Sequence, residues 1–355
     1  MTTLLKKAIQ IGFDKRQKPS LFLANLFEKK QLKTIKTQIQ GRSIKSVYAV
    51  DSKIGTGGRR VEISQHDFKD FIIPEYNINT ELTEEDMYKV QFGETEETQV
   101  LANVADLIND RQEIISDMIR RSEEKQAADL FFNGKIVLAD GTEIEFNKKA
   151  THDMNLTSKK WNTDNADPLK DIEDACQLII DDGKVSASEF NVIMGRSAIN
   201  AFLGNAKVKG SSNWNNGIKR TDINIPIEKT PGAMFHGQIS CGTYRVNLWS
   251  YAEKYEIPKG YNFANEGTSV PYIPTNGVLV LPTEVKYTRN YGSVNNTGST
   301  ALIGGAKLQP VEVEQLQYSY DKTEGGSAFT IAGVKSRVLL IANDVDTFVT
   351  MKNVA

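Results

Sequence analysis

The sequence predicts an α+β chain organised around one long helix lying across a sheet. Three observations predict it. Residues Thr95–Asn133 hold neither Gly nor Pro and carry one apolar stripe. Residues 205–345 are mostly short β-type runs between Gly- and Asn-rich turns. Between these two stretches, residues 166–202 read as helix, strand, helix, the pattern of an α/β subdomain.

The chain opens with a basic arm. Its apolar clusters are Leu4-Leu5 and the run Pro19-Ser-Leu-Phe-Leu-Ala-Asn-Leu-Phe27. Leu21, Phe22, Leu23, Leu26 and Phe27 can bury either on a partner or on the chain's own core. Residues 44–80 read as a long β-hairpin. Ile44, Val47, Tyr48 and Val50 lead in, Gly55-Thr-Gly-Gly58 turns, and Arg59-Arg60-Val61-Glu62-Ile63 leads back. The tip has too few apolar residues to hold a core, and an isolated two-stranded hairpin is marginal in water. It therefore needs support from outside its own domain.

In the long helix the stripe is Val100, Leu101, Val104, Leu107, Ile108, Ile115, Met118, Ile119, Leu130 and Phe131. Steps of three and four place these on one face. Glu96 and Glu97 suit the positive end of the dipole, and Asn133-Gly134 offers a left-handed stop. A helix of this span is roughly 55 Å long. The opposite face carries Asp110, Glu113, Asp117, Arg120, Arg121, Glu123, Glu124 and Lys125, which predicts a solvated surface. The stripe breaks after Ile108 and thins after Ile119, which argues against a bundle and for a single helix on a sheet.

After the helix, Lys135–Phe146 with Asp140-Gly141 at its centre predicts a hairpin. Pro168 predicts the start of an amphipathic helix over Leu169–Ile180, ended by Asp181-Asp-Gly183. Phe190–Met194 reads as a buried strand and Ser197–Phe202 as a helix. Tyr244–Trp249, Gly277–Leu281 and Val311–Val313 read as strands, and the chain closes with Ala328–Ile341 and Val345–Met351.

The net charge is −2, so nothing pulls the whole chain toward nucleic acid or membrane. Its distribution is uneven. Residues 1–60 hold 14 Lys and Arg against 3 acids, and residues 61–133 hold 18 acids against 6 basic side chains. A basic head followed by an acidic middle predicts pairing between subunits, or a head that faces phosphate. Two lone cysteines, Cys176 and Cys241, fit a reducing compartment. With no signal peptide and no membrane-length apolar span, the expectation is a soluble intracellular product.

Catalytic motifs are missing. His66, His152 and His236 stand at no metal-ligand spacing, and His66-Asp67 and His152-Asp153 read as surface loop. Ser197, in Gly195-Arg-Ser-Ala-Ile199, lacks the last Gly of a nucleophile elbow. The glycines at 55–58 precede no predicted helix, so they form no phosphate loop. The reading is therefore of a non-enzyme with no cofactor and no metal.

The order of these parts resembles the major capsid proteins of lambda-type tailed phages, the major capsid protein E family. The arm run Pro19–Phe27, Gly57-Gly58, Trp161 with Asp167-Pro168-Leu-Lys-Asp171-Ile172-Glu173, and the close Arg337–Val349 carry the likeness. It implies the Hong Kong 97-like capsid fold. Residues 1–43 would be the N-terminal arm, 44–82 the extended loop, 83–165 the peripheral domain with its spine helix, 166–310 the axial domain, and 311–355 closing strands of both domains. It further implies a structural subunit of an icosahedral virion, assembled in the host cytoplasm into pentamers and hexamers around double-stranded DNA. Its partners would be further copies of itself, a separate scaffolding protein, a portal and a decoration protein.

Within that resemblance, the hairpin tip (Gly55, Gly57, Gly58, Arg59 and Arg60) is expected to contact another subunit. Lys6, Lys7, Lys15, Arg16, Lys18, Phe22 and Phe27 are expected to face a neighbour or the DNA. An encapsulin-like shell protein shares the fold and would be marked by a cargo-peptide groove. An α/β hydrolase-type enzyme would be marked by the elbow or motif histidine that this sequence lacks.

Overall fold

The computed structural model describes residues 18–44, 64–82, 100–138, 141–163, 165–212, 221–260, 265–284, 287–296, 309–324 and 327–355. The long helix is described over Val100–Asn133, 34 residues, and Thr95–Gln99 of its predicted span lie outside the described residues. It stops as its sequence predicts. Gly134 takes φ +65° and donates its N–H to the Leu130 carbonyl at 3.0 Å. Lys148 closes the end by donating from Nζ to the Phe131 carbonyl at 2.9 Å, one of the acceptors a helix terminus leaves open. Burial lowers the Lys148 ammonium to about 8.

The helix lies along the 15-residue strand Ser327–Ile341. Ile115 and Ile119 meet Val334, with Tyr76 and Ile78 beside them, and Leu130 and Phe131 enter the main core. The same strand is the centre of a five-stranded sheet. Its first half runs antiparallel between Leu316–Glu324 and Glu75–Leu82. Its second half pairs with Tyr287–Tyr291, which in turn holds the arm strand Phe27–Gln31 in parallel.

A seven-stranded sheet forms the second body. Its order is Asp153–Asn155, Val349–Lys352, Val278–Pro282, Glu189–Met194, Tyr244–Tyr251, Ala233–Cys241 and Thr221–Thr230. The helices Pro168–Gly183 and Arg196–Gly204 cover it, sealing a core that includes Trp161, Ile172, Phe190, Phe202 and Val280. Asp167 caps the first of these, accepting the Lys170 N–H at 3.3 Å. The helix ends at Gly183, as its sequence predicts, but the left-handed turn is not glycine's. Lys184 takes the left-handed stop at φ +53°, while a Cβ on Gly183 would meet the Asp346 carbonyl oxygen at 2.8 Å. Glycine is therefore needed there for close approach rather than for the turn.

Four expectations need correction. Asp117, Glu123 and Glu124 belong to the buried side of the helix, not its solvated face. Met118, assigned to the stripe, is 46 % exposed. His152 is no surface residue. It is fully buried, with Nδ1 3.0 Å from the Phe348 carbonyl oxygen and Nε2 3.0 Å from Asp182 Oδ2, tying the closing segment to a helix end. The strand expected at Val311–Val313 lies at Gln309–Val311, paired with Val294–Asn296. His236 is buried beside the Ser250 hydroxyl at 2.8 Å, and the His66 side chain lies outside the described residues. Cys176 and Cys241 sit in one core, where burial raises both thiols, Cys241 to about 12.

The thinning of the stripe after Ile119 now has a cause. Positions 119, 123, 126 and 130 continue the same helical face, and Glu123 and Gln126 occupy it. Arg289 Nη1 donates to Glu123 Oε2 at 2.9 Å, with both side chains 2 % exposed, and the Tyr291 hydroxyl donates to the same oxygen at 3.2 Å. Gln126 donates to the Tyr76 hydroxyl at 2.7 Å and accepts the Leu340 N–H at 3.3 Å.

Two outcomes follow from this packing. Arg289→Met alone should cost about 3–5 kcal/mol, because it strands a buried carboxylate. Adding Glu123→Leu should recover most of that loss, and urea midpoints of the four chains in the cycle measure the coupling. Gly195→Ala should cost about 1–3 kcal/mol by overpacking. Its Cβ would run into the Pro274 carbonyl oxygen and stand 2.7 Å from that of Thr275, and a lowered thermal midpoint would register the strain.

Candidate assembly surfaces

The sequence nominates the arm and the hairpin as the segments that reach toward further copies of the chain. The arm is described from Lys18, which is exposed. From Ser20 it turns inward. Leu23 and Ala24 are fully buried, and their N–H groups donate to Glu124 Oε1 and Oε2, each at 2.8 Å. The Tyr251 hydroxyl donates to Glu124 Oε1, also at 2.8 Å. One buried carboxylate thus orients the start of a short turn, Ala24–Leu26, satisfying donors that would otherwise be costly to bury.

The arm's rings complete the dock. Phe22 lies with its centroid 5.4 Å from that of Trp249 and 5.3 Å from that of Tyr251. Phe27 packs between Phe131 and Tyr287, 5.4 Å from each. Of the two alternatives open for this run, both rings take the chain's own core, Phe27 buried and Phe22 partly so. The run Leu-Phe-Leu-Ala-Asn-Leu-Phe was ambiguous because an arm binding its own sheet and one binding another copy's sheet need the same apolar residues. No local pattern separates the two.

Beyond the dock the arm is basic, and it finds acids within the chain. Lys29 Nζ meets Glu314 at 2.6 Å and Lys33 Nζ meets Glu312 at 3.9 Å. These acids belong to the stretch before strand Leu316–Glu324, not to the acidic middle. The acids Asp117, Glu123 and Glu124 of that middle are buried in the same chain. The exposed pairs contribute little each. Lys6, Lys7, Lys15 and Arg16 lie outside the described residues.

The hairpin begins earlier than the sequence predicts. Lys36–Ile44 pairs antiparallel with Ser64–Ile72, from Lys36↔Ile72 to Ile44↔Ser64. Alternation at Ile35, Thr37 and Ile39 is the sequence signal for its first strand, which continues directly from the arm. At the base, the Ile73 N–H donates to the Ile35 carbonyl at 3.0 Å, and Thr37 and Ile73 face the core. Ile72, one residue along, is 65 % exposed. Among the described residues this ladder pairs with no other strand. Gly55, Gly57, Gly58, Arg59 and Arg60 lie outside the described residues.

Among the described residues no group of three or more His, Cys, Asp or Glu is arranged to hold a metal ion, and no helix is long and apolar enough to cross a membrane.

Comparison with known proteins gives this geometry a setting. The family model of phage major capsid protein E matches residues 14–352. A solved structure described as a prophage capsid protein from E. coli CFT073 is similar over 99% of this chain and 98% of its own, with a TM-score of 0.65 and 16% identity. The mature capsid of bacteriophage PhiM1 is more distant, at a TM-score of 0.48 and 11% identity, covering 96% of this chain and 89% of that one. The holo-SrpI encapsulin complex from Synechococcus elongatus PCC 7942 has a TM-score of 0.42 and 11% identity, covering 98% and 95%. A comparison with curated proteins gave no match. With the Hong Kong 97-like capsid fold in place and the family's pattern running through almost its whole length, the chain belongs to the phage major capsid protein E family and is a shell subunit of a phage head.

Proposed function

We propose that this subunit builds an icosahedral head by assembling into pentamers and hexamers that enclose packaged double-stranded DNA. A separate scaffolding protein and a portal are its assembly partners, and a decoration protein binds the finished shell. Assembly takes place in the host cytoplasm and the protein ends in the virion. The role is structural, without a catalytic residue. In this reading the long helix and the five-stranded sheet are the peripheral domain, and the seven-stranded sheet with its helices is the axial domain.

The observation that carries the reading furthest is the two-stranded ladder Lys36–Ile44 with Ser64–Ile72. It has no third strand among the described residues, and a lone pair of strands is marginal in water. A neighbouring subunit supplies what it lacks. Overlap of this kind turns weak pairwise contacts into a stable closed assembly, because each added contact is effectively intramolecular. Head-to-tail contacts that close into rings are the symmetry required.

Electron microscopy of the purified chain tests the proposal directly. Shells, tubes or capsomer rings are expected, and a persistent monomer in the presence of the scaffold would overturn it. Arg59→Ala with Arg60→Ala should lower shell yield while leaving the circular dichroism of the free chain unchanged, since Arg suits bidentate pairing with a neighbour's carboxylates. Loss of folded chain would place the tip on its own domain instead.

The arm's charge has its own test. Replacing Lys6, Lys7, Lys15, Arg16 and Lys18 with Gln should reduce DNA retention and flatten its salt dependence, because phosphate contact needs only cations. Reduced empty-shell yield without DNA would assign those lysines and the arginine to subunit contacts.

A further inference from the structure

We propose that the outward side of the long helix is a contact with a second copy of this chain, the two helices running antiparallel about a two-fold axis. This deepens the reading of the chain as a shell subunit and rests on it.

The sequence shows one apolar stripe along the helix, and the structure divides it in two. Ile115, Ile119, Leu130 and Phe131 meet the chain's own sheet and core. Leu107, Ile114 and Met118 do not. At 3.6 residues per turn they are turned about 140° from the buried row Gln112, Ile119, Glu123 and Leu130. Leu107 and Ile114 are half-buried and Met118 is exposed, and none of the three belongs to a hydrophobic cluster among the described residues. A helix with apolar residues on two sides is one that is covered on both.

The spacing says what kind of surface covers the second side. Positions 107, 111, 114, 118, 121 and 125 follow in alternating steps of four and three, the repeat that sets one helix against another. Leu107, Ile114 and Met118 are its apolar knobs, and Arg111, Arg121 and Lys125 hold the other positions.

The charges say which helix. Asp106, Asp110 and Glu113 line one flank of this seam in its first half, and Arg120 and Arg121 line the same flank in its second half. Asp117, Glu123 and Glu124 are buried and do not cancel that second half. In an antiparallel pair like flanks face each other, so the acidic half of each copy lies along the basic half of the other. That is the self-complementarity a two-fold contact requires. With the axis beside residues 112 and 113, Leu107 of each copy meets Met118 of the other, and Glu113 comes level with Arg111. Two copies running in the same direction and in register would instead stack Arg111 on Arg111 and Arg121 on Arg121. Duplex DNA would meet Asp106, Asp110 and Glu113 with its own like charge.

Paired cysteines test the register. In a Leu107→Cys, Met118→Cys chain, oxidation of assembled particles with diamide should join subunits into dimers on a non-reducing gel. Within one chain these positions are roughly 16 Å apart along the helix, too far to bridge. Either cysteine alone should give no dimer, because each lies that same distance from its own counterpart across the axis. Cys176 and Cys241 are buried and should stay silent. If the double variant fails to fold, benzoylphenylalanine in place of Met118 keeps the test decisive: light should join it to the peptide of a second copy that contains Leu107. Dimers from either single-cysteine chain, a photoproduct elsewhere, or particles that give no cross-link would overturn the pairing and leave the shell reading standing. If electron microscopy shows no particles, the shell reading fails, and the same cross-links on the concentrated free chain still decide the pairing.

Discussion

The fold depends on the placing of two carboxylates inside the long helix. Glu123 and Glu124 are adjacent, so they point to different sides of the buried face. Glu123 draws in Arg289 and Tyr291 from the central sheet, and Glu124 draws in the arm and Tyr251 from the seven-stranded sheet. One turn of helix therefore fixes three otherwise separate parts of the chain. Apolar contacts alone would let the helix slide or rotate on its sheet, because dispersion is not directional. Hydrogen bonds to a charged group are, and a buried one left unsatisfied is costly.

That arrangement also removes three acids of the acidic middle from the surface. A stretch that looks acidic by composition does not present all of that acidity to solvent. Asp117, Glu123 and Glu124 face inward, and the exposed surface between Ile114 and Ala128 carries Arg120, Arg121 and Lys125. Net charge counted along a sequence is thus a poor guide to the charge a partner meets when the acids act as internal hydrogen-bond acceptors.

Much of the fold was legible because its signals are local. The Gly134 stop, the Pro168 start with Asp167 as cap, and the Gly141 turn each follow from the conformational limits of one or two residues. The long helix was legible from periodicity. What could not be read were the choices made between distant segments. Nothing near Phe27 says that its ring will lie between Phe131 and Tyr287, and nothing near His152 announces Asp182 and Phe348 as partners. The burial of Glu123 and Glu124 is hidden for the same reason. A polar residue at a stripe position looks like an interruption until its partner, 166 residues away in the case of Arg289, is known.

The strand Val349–Lys352 lies inside the seven-stranded sheet, between Val278–Pro282 and Asp153–Asn155. Its position sets a clock on biosynthesis. Until residue 352 has cleared the ribosome, the sheet has a gap beside Val278–Pro282, and His152 lacks the carbonyl it faces. A chain cut short by abortive translation cannot close that sheet. It exposes an open strand edge to quality control rather than a subunit-like surface to its siblings. Closure of the sheet is in this way tied to synthesis through residue 352, which protects a structure built from many identical copies against poisoning by fragments that stop short of it.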